Sequence, residues 1–204
     1  MRRFAALALS MLLSIAVGAL AQAPGALPTQ RIRGDVVALD GLNLQVRSRT
    51  GELLAVKLAE TYTVTSVVKI GIEKLVPGAF VGAASMPQPD GTQTALEVLL
   101  FPEARRGSGE GHYPWDLQPG SMMTNATVAD VVSADKGRRL TLKYKDGEKV
   151  VFVPIDAPIV TFEPGDPAML KPGAHILVAV TKQPDGSLTA GGVAVGKDGL
   201  VPPM

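Results

Sequence analysis

Leu75-Val76-Pro77-Gly78-Ala79 returns 95 residues later as Leu170-Lys171-Pro172-Gly173-Ala174, and Gln88-Pro89-Asp90-Gly91 returns at the same interval as Gln183-Pro184-Asp185-Gly186. Asp35-Val36-Val37 keeps the interval in Asp130-Val131-Val132, as do Thr94-Ala95 in Thr189-Ala190 and Val98 in Val193. Gly51-Glu52 comes back one residue late, at Gly147-Glu148, which implies a small turn insertion. A fixed period over an ordered series of matches is the mark of a repeated structural unit. The sequence therefore reads as an internal duplication, with copies at residues 31–101 and 127–196. Similar hairpins that independently adopted Asp-Gly turns would not keep this order.

Each copy reads as strands. Leu42, Leu44 and Val46 alternate with polar residues, Arg49-Thr50-Gly51 turns the chain, and Leu54, Val56 and Leu58 alternate again, the pattern of a half-buried hairpin. The second copy runs through Leu140, Leu142 and Tyr144, an Asp146-Gly147 turn, then Val150 and Phe152. A further hairpin closes each copy, residues 79–86 with 92–101 and 174–182 with 187–195, across the two Pro-Asp-Gly turns. Only short helical turns are expected, over Ile70 to Leu75 and Pro167 to Leu170, each stopped by Pro-Gly. Five or six short strands in about 70 residues fit a small closed barrel, and closure removes exposed strand edges. The expected fold is all-β: two tandem small OB-like barrels related by internal duplication. A single sandwich built from both halves is the alternative.

The N-terminus reads as a targeting segment. Arg2 and Arg3 precede an uncharged run from Phe4 to Leu20, followed by the small residues of Ala19-Leu20-Ala21, as in a secretory signal peptide. Cleavage is expected after Ala21, because a cut after Ala23 would leave Pro24 beyond the scissile bond. The segments are then 1–21 signal, 22–30 extension, 31–101 first barrel, 102–126 linker, 127–196 second barrel and 197–204 tail. Without Arg2 and Arg3 the chain has 18 basic and 19 acidic groups, so its slight basicity belongs to the signal. A retained anchor is the alternative, although a run of about 17 residues is short for a bilayer. Past residue 21 no apolar run is long enough for a membrane-spanning helix. A periplasmic or secreted protein is expected.

Composition removes several chemistries. With no Cys there is no disulfide, thiolate metal site or cysteine nucleophile. Nucleic acid is not an expected partner, because each copy has equal numbers of basic and acidic groups and aromatics are 4% of the chain. The basic cluster Lys136, Arg138, Arg139, Lys143 and Lys145 is interrupted by acids and reads as a solvated face. No nucleophile elbow, H-E-x-x-H or Walker loop is present, so the chain is read as a non-enzyme.

The linker is the richest segment. It carries the single Trp, and Gly107-Ser108-Gly109-Glu110-Gly111 runs into His112-Tyr113-Pro114-Trp115-Asp116-Leu117. His112, Tyr113, Trp115 and Asp116 are the candidate ligand- or partner-binding residues, and the alternative is that the aromatics pin the linker across the joint between barrels. His112, Asp116, Met122 and Met123 offer nitrogen, oxygen and thioether donors for copper or zinc, a second possibility; no resident cofactor is otherwise expected. Ser121 with His112 and Asp116 is the weakest reading, a hydrolase. His175, in the place of Phe80, reads as a half-exposed barrel residue whose neighbours Ile176, Val178 and Val180 face inward. Asp35 and Asp130 read as equivalent structural carboxylates.

The unit Arg33-Gly34-Asp35-Val36-Val37, Leu44-x-Val46, Leu75-Val76-Pro77-Gly78-Ala79-Phe80-Val81 and Ala95-Leu96-Glu97-Val98 resembles small exported bacterial barrel domains of unknown function. Their outline is V-x-G-x-V, L-x-x-G-x-x-V and A-x-x-V; here the first element is shifted by one residue. The run from Gly111 to Val128 resembles exported proteobacterial proteins labelled metal ABC transporter permease. A permease needs a membrane bundle, so that resemblance implies at most an extracytoplasmic accessory role in metal transport. The expected function is a binding or envelope-interaction module with an unassigned periplasmic protein or small ligand as its partner.

Overall fold

The computed structural model describes residues 27–203, so the expected signal segment lies outside the described residues. The alternating apolar residues form strands, and the strands close into rings. The first ring contains β1 (Thr29–Asp40), β2 (Asn43–Ser48) and β3 (Leu53–Lys69), with β11 (His175–Lys182) and β12 (Leu188–Gly196). Its order is β12-β11-β1-β2-β3, and a parallel β3–β12 pairing closes it. The second ring contains β4 (Phe80–Pro87), β5 (Gln93–Leu100), β7 (Met122–Ala134), β8 (Gly137–Tyr144) and β9 (Gly147–Pro154). Its order is β5-β4-β7-β8-β9, closed by a parallel β5–β9 pairing. β6 (Gly111–Pro114) lies along β7, and β10 (Ile159–Pro164) joins the rings, antiparallel to β3 and parallel to β5. The helical content is short 3-10 turns, including Ile72–Lys74 and Pro167–Met169. Ring closure sets aside the single-sandwich alternative. No helix among the described residues is long and apolar enough to cross a membrane.

Ring membership corrects the expectation of one barrel per consecutive segment. β1, β2 and β3 are closed by a hairpin from residues 174–196, while the hairpin from residues 80–100 closes the ring of β7, β8 and β9. The two segments exchange their last hairpins. Sequence pattern fixes which residues pair within a hairpin and which face turns inward, but both rings offer an equivalent edge to either hairpin. The linker expected at 102–126 also contains β6 and the start of β7.

The exchange is symmetric. Val56 pairs with Leu188 and Val64 with Val193 in one ring; Val151 pairs with Gln93 and Ile159 with Val98 in the other. β3 and β10 pair antiparallel about Val67 and Phe162, positions 95 residues apart. The two Pro-Asp-Gly turns also match. Asp90 accepts from the Thr92 N–H at 3.0 Å and Asp185 from the Ser187 N–H at 2.9 Å, with Gly91 and Gly186 at φ 82° and 85°, the left-handed conformation that glycine tolerates.

The first strands break the common interval. A bulge follows Val36 in β1 and Val128 in β7, and the Val36 and Val128 N–H groups donate to the Ala174 and Ala79 carbonyls at 2.9 and 2.8 Å. The counterpart of Asp35 is therefore Thr127, not Asp130. Asp35 lies opposite His175, whereas Asp130 lies beyond the bulge, opposite Thr141. The physical reason is the longer β7–β8 hairpin, which displaces the sequence match from the structural one.

Each ring has its own core, Leu44, Val46, Leu58, Ile176 and Val178 in the first and Leu140, Leu142, Val81, Val98 and Val151 in the second. A third cluster, Val67, Leu99 and Val160 with Phe101, Phe162 and Leu177, lies between them. Burying each aliphatic side chain contributes about 1.5–3 kcal/mol, so the joint is an apolar contact with polar groups set into it.

Candidate functional site at the joint between the rings

On β1, Ile32 is buried in the first core, so alternation turns Arg31 and Arg33 to the outer face of the ring. The linker reaches this face from the other ring. β6 pairs His112 with Thr124 and Tyr113 with Met123, and the chain then turns back to β7 through a bond from the Trp115 N–H to the Ser121 carbonyl at 2.8 Å. Gly120 takes φ 78° in that turn, and the Ser121 hydroxyl bonds the Gln118 carbonyl at 2.7 Å.

Two linker residues grip β1. Asp116 Oδ1 accepts from Arg33 Nη2 at 2.8 Å, and its Oδ2 lies 3.6 Å from Arg31 Nη1. The Arg31 guanidinium stacks 3.8 Å above the Trp115 ring, a cation–π contact. Tyr113 lies 6.1 Å from Trp115, and its hydroxyl accepts from Asn125 Nδ2 at 3.1 Å. Burial raises the Asp116 carboxyl, but the bond and charge of Arg33, with the charge of Arg31, outweigh it and hold the group below its ordinary value. Burial also pushes the Tyr113 hydroxyl up.

Behind this contact lies an acid that the sequence reading did not single out. Glu97 of β5 is fully buried, and neither carboxyl oxygen has a hydrogen-bond partner among the described residues. Burial pushes its pKa up to about 8; the charges of Arg33 and Arg49 oppose that rise without cancelling it. Burial therefore favours the neutral form of Glu97. Arg49 is lowered by burial and by the charge of Arg33, and its Nη2 donates to the Pro202 carbonyl at 3.1 Å. Arg31, Arg33, Ser48, Arg49, Glu52 and Asp116 line a cavity of about 380 Å³. The Trp115 Nε1 and Asn125 Oδ1 atoms are also buried without a hydrogen bond among the described residues.

The four linker candidates are not one site. Tyr113, Trp115 and Asp116 gather at the joint, while His112 faces the other side of β6. Its Nδ1 lies 2.9 Å from Thr124 Oγ1 and its ring 6.4 Å from that of Tyr144; burial, then the charge of Lys149, lowers its pKa. The copper or zinc set is divided in the same way. Asp116 is held by arginines, His112 by Thr124, and Met122 and Met123 are successive residues of β7 that point to opposite faces. No group of three or more His, Asp or Glu among the described residues is placed to hold a metal. Ser121, His112 and Asp116 each have different partners and form no relay.

His175 is half-buried, and its Nδ1 lies 2.5 Å from Asp35 Oδ1. It lines a cavity of about 530 Å³ at the mouth of the first ring, with Met169, Lys171, Lys197 and Asp198. Sequence reasoning missed the Asp35–His175 pair, the three arginines and Glu97. A readable signal existed for Glu97, an ionisable residue in the apolar run Thr94-Ala95-Leu96-Glu97-Val98-Leu99. Its partners, in contrast, come from a distant strand and turn. No family model, no curated protein and no solved structure matches the chain.

Proposed function

We propose that the chain is a non-enzymatic binding or envelope-interaction module of the periplasm, built from two OB-like barrels descended from one duplicated unit, which takes its ligand or partner at the joint between the rings. The observation that carries this reading is the seating of Trp115 and Asp116, from one ring's linker, on Arg31 and Arg33 of the other, beside a cavity lined by three arginines. A structural spacer would not need a fully buried Glu97 with no hydrogen-bond partner among the described residues, because such a group is costly to hold. The shared ring order and its parallel closing pair support the OB-like reading. The matching registers support the duplication. Export rests on Arg2, Arg3 and the apolar run to Leu20.

The test is site-specific photocrosslinking in the cell envelope. A photoreactive residue at Leu117, on the cavity wall, should give a discrete adduct. One at exposed Ile155 should not, and Trp115→Ala should abolish the Leu117 adduct. Equal labelling at both positions, or no adduct at Leu117, overturns the reading.

A further inference from the structure

We infer that the open edge of β1, at Thr29 and Arg31, takes an extended peptide segment of a partner protein as an added antiparallel strand, in the place that β6 fills beside β7. This rests on the binding reading above and names the class of partner.

Backbone parity exposes the edge. The Lys182 N–H donates to the Pro28 carbonyl at 3.0 Å, and the Val36 N–H to the Ala174 carbonyl at 2.9 Å. Antiparallel pairs alternate between bonded and non-bonded. Up to the bulge, the even-numbered residues of β1 therefore bond β11, and the odd-numbered ones turn their backbone groups to the other side. There the Arg49 N–H donates to the Arg33 carbonyl at 3.0 Å, and Asp35 lies opposite Arg47 of β2. Thr29 and Arg31 lie beyond the reach of β2, and no strand among the described residues pairs with them on that side. Both are exposed.

The second ring shows what such an edge holds. Through the bulge register, Thr29, Arg31 and Arg33 match Ser121, Met123 and Asn125. β6 and the residue after it cover all three. Gly111 lies opposite Asn125, Tyr113 lies opposite Met123, and the Trp115 N–H donates to the Ser121 carbonyl at 2.8 Å. In the first ring Arg49 takes the place of Gly111, and the places of Tyr113 and Trp115 are open. At the spacing of β6 ahead of β7, a covering strand for β1 would fall at residues 19–22. Cleavage after Ala21, as expected for export, cuts through that strand, so the occupant comes from another chain.

The surroundings fix its form. Gln30, Arg31 and Ile32 line the cavity of about 380 Å³ together with Leu54, Asp116, Leu117 and the turn after β2. Room of that size beside the edge suits one extended chain and not a second sheet. β1 begins at Thr29, so the edge offers two residues that can pair. An added strand meets them through the backbone, in the plane of the sheet, and leaves Trp115 and Asp116 seated on the side chains of Arg31 and Arg33. Main-chain bonds give the affinity, and side chains set the register. The residue opposite Arg31 shares its outer face. The two that flank it share the face of Ile32, beside Leu54, and are therefore apolar.

Amide hydrogen exchange of the full mature chain, read by NMR, tests both the edge and its occupant. Without ligand, the Thr29 and Arg31 amides should exchange at least about tenfold faster than those of Gln30 and Ile32. Titration with the blocked pentapeptide Thr-Val-Thr-Val-Thr should slow the Arg31 amide saturably, by at least about tenfold. N-methylation of its threonines should abolish the effect, whereas N-methylation of its valines, whose N–H groups point away from β1, should preserve it. Thr29→Pro removes an N–H that serves no bond to β11, and should weaken binding about threefold while Gln30 and Ile32 stay protected. An Arg31 amide already protected without peptide overturns the open edge; protection that grows with protein concentration makes a second copy the occupant and overturns the partner assignment. Absence of slowing by the peptide, or equal sensitivity to both methylation patterns, overturns strand addition. A Leu117 adduct in the envelope without peptide protection at Arg31 leaves the binding module and overturns its strand ligand. Protection at Arg31 without that adduct removes the parent reading and leaves the edge.

Discussion

The two rings share strand order, pairing register and turn geometry, and they differ on the faces they turn toward each other. Position 97 of the second ring holds buried Glu97; the matching position of the first ring holds Gly192. Arg33, facing outward from β1, corresponds through the bulge register to Asn125 on β7. Gly82, opposite Asn125, corresponds to Leu177, opposite Arg33. The interiors stay aliphatic in both rings, so closure constrains them alike. The contrast at Glu97 and Gly192, and at Arg33 and Asn125, lies at the joint, where packing a ring does not dictate the residue. Specialisation is to be sought there.

The largest expected effect tests whether the rings are one unit. Leu44 is fully buried in the first ring, and Leu44→Ala should cost about 2–5 kcal/mol. Because the rings exchange hairpins, neither can open without stripping strands from the other. Calorimetry should therefore show one transition, shifted as a whole. Two transitions, with only one moved, would break the exchanged pairing.

Glu97 sharpens the contrast with Gly192. Its folded pKa of about 8 stands above the ordinary 4.5, so the native state holds a proton that the unfolded chain releases. The associated stability is fully present below about pH 4.5 and is lost progressively as pH rises to about 8, levelling off above that. The loss is on the order of a few kcal/mol. Glu97→Gln keeps the shape and removes the titration. Chemical denaturation should find it close to the natural chain at pH 4 and more stable at pH 8.5. A natural chain whose stability is flat from pH 5 to 8 would mean that Arg33 and Arg49 hold Glu97 ionised.

Much of this molecule was legible in its sequence, and the boundary is physical. Hairpins and Pro-Asp-Gly turns are local, so Leu44 and Val46 inward and Asp90-Gly91 in a turn followed from spacing alone. Ring membership is non-local: nothing within residues 79–101 tells that hairpin which ring to close. A single bulge after Val128 was enough to make Asp130 look like the counterpart of Asp35. At the site, Trp115 and Asp116 stood out by composition. Arg31 and Arg33 are some 83 residues upstream, where charged residues in an alternating strand look like ordinary solvent-facing ones. His112 belongs with them only if residues 111–114 are a linker; on β6 alternation sends it to the opposite face from Tyr113.

The smallest effect concerns how closely the second ring's outer face is covered. A Cβ on Gly82 would come 2.6 Å from Asn125 Oδ1 and 3.1 Å from the Phe101 ring. Gly82→Ala must therefore push the Asn125 side chain, which also bonds Tyr113 and the Ser108 carbonyl, at a cost of about 1–3 kcal/mol. Gly191, on β12 of the other ring, has no atom within 4 Å of such a Cβ and no positive φ. Gly191→Ala should be neutral or stabilising by about 0.4–1 kcal/mol, because it restricts the unfolded chain. Thermal melts of the pair measure the asymmetry. Equal tolerance at Gly82 and Gly191 would mean that the linker rests loosely on the second ring, and that Tyr113 and Asn125 do not fix the loop from which Trp115 and Asp116 reach across to β1.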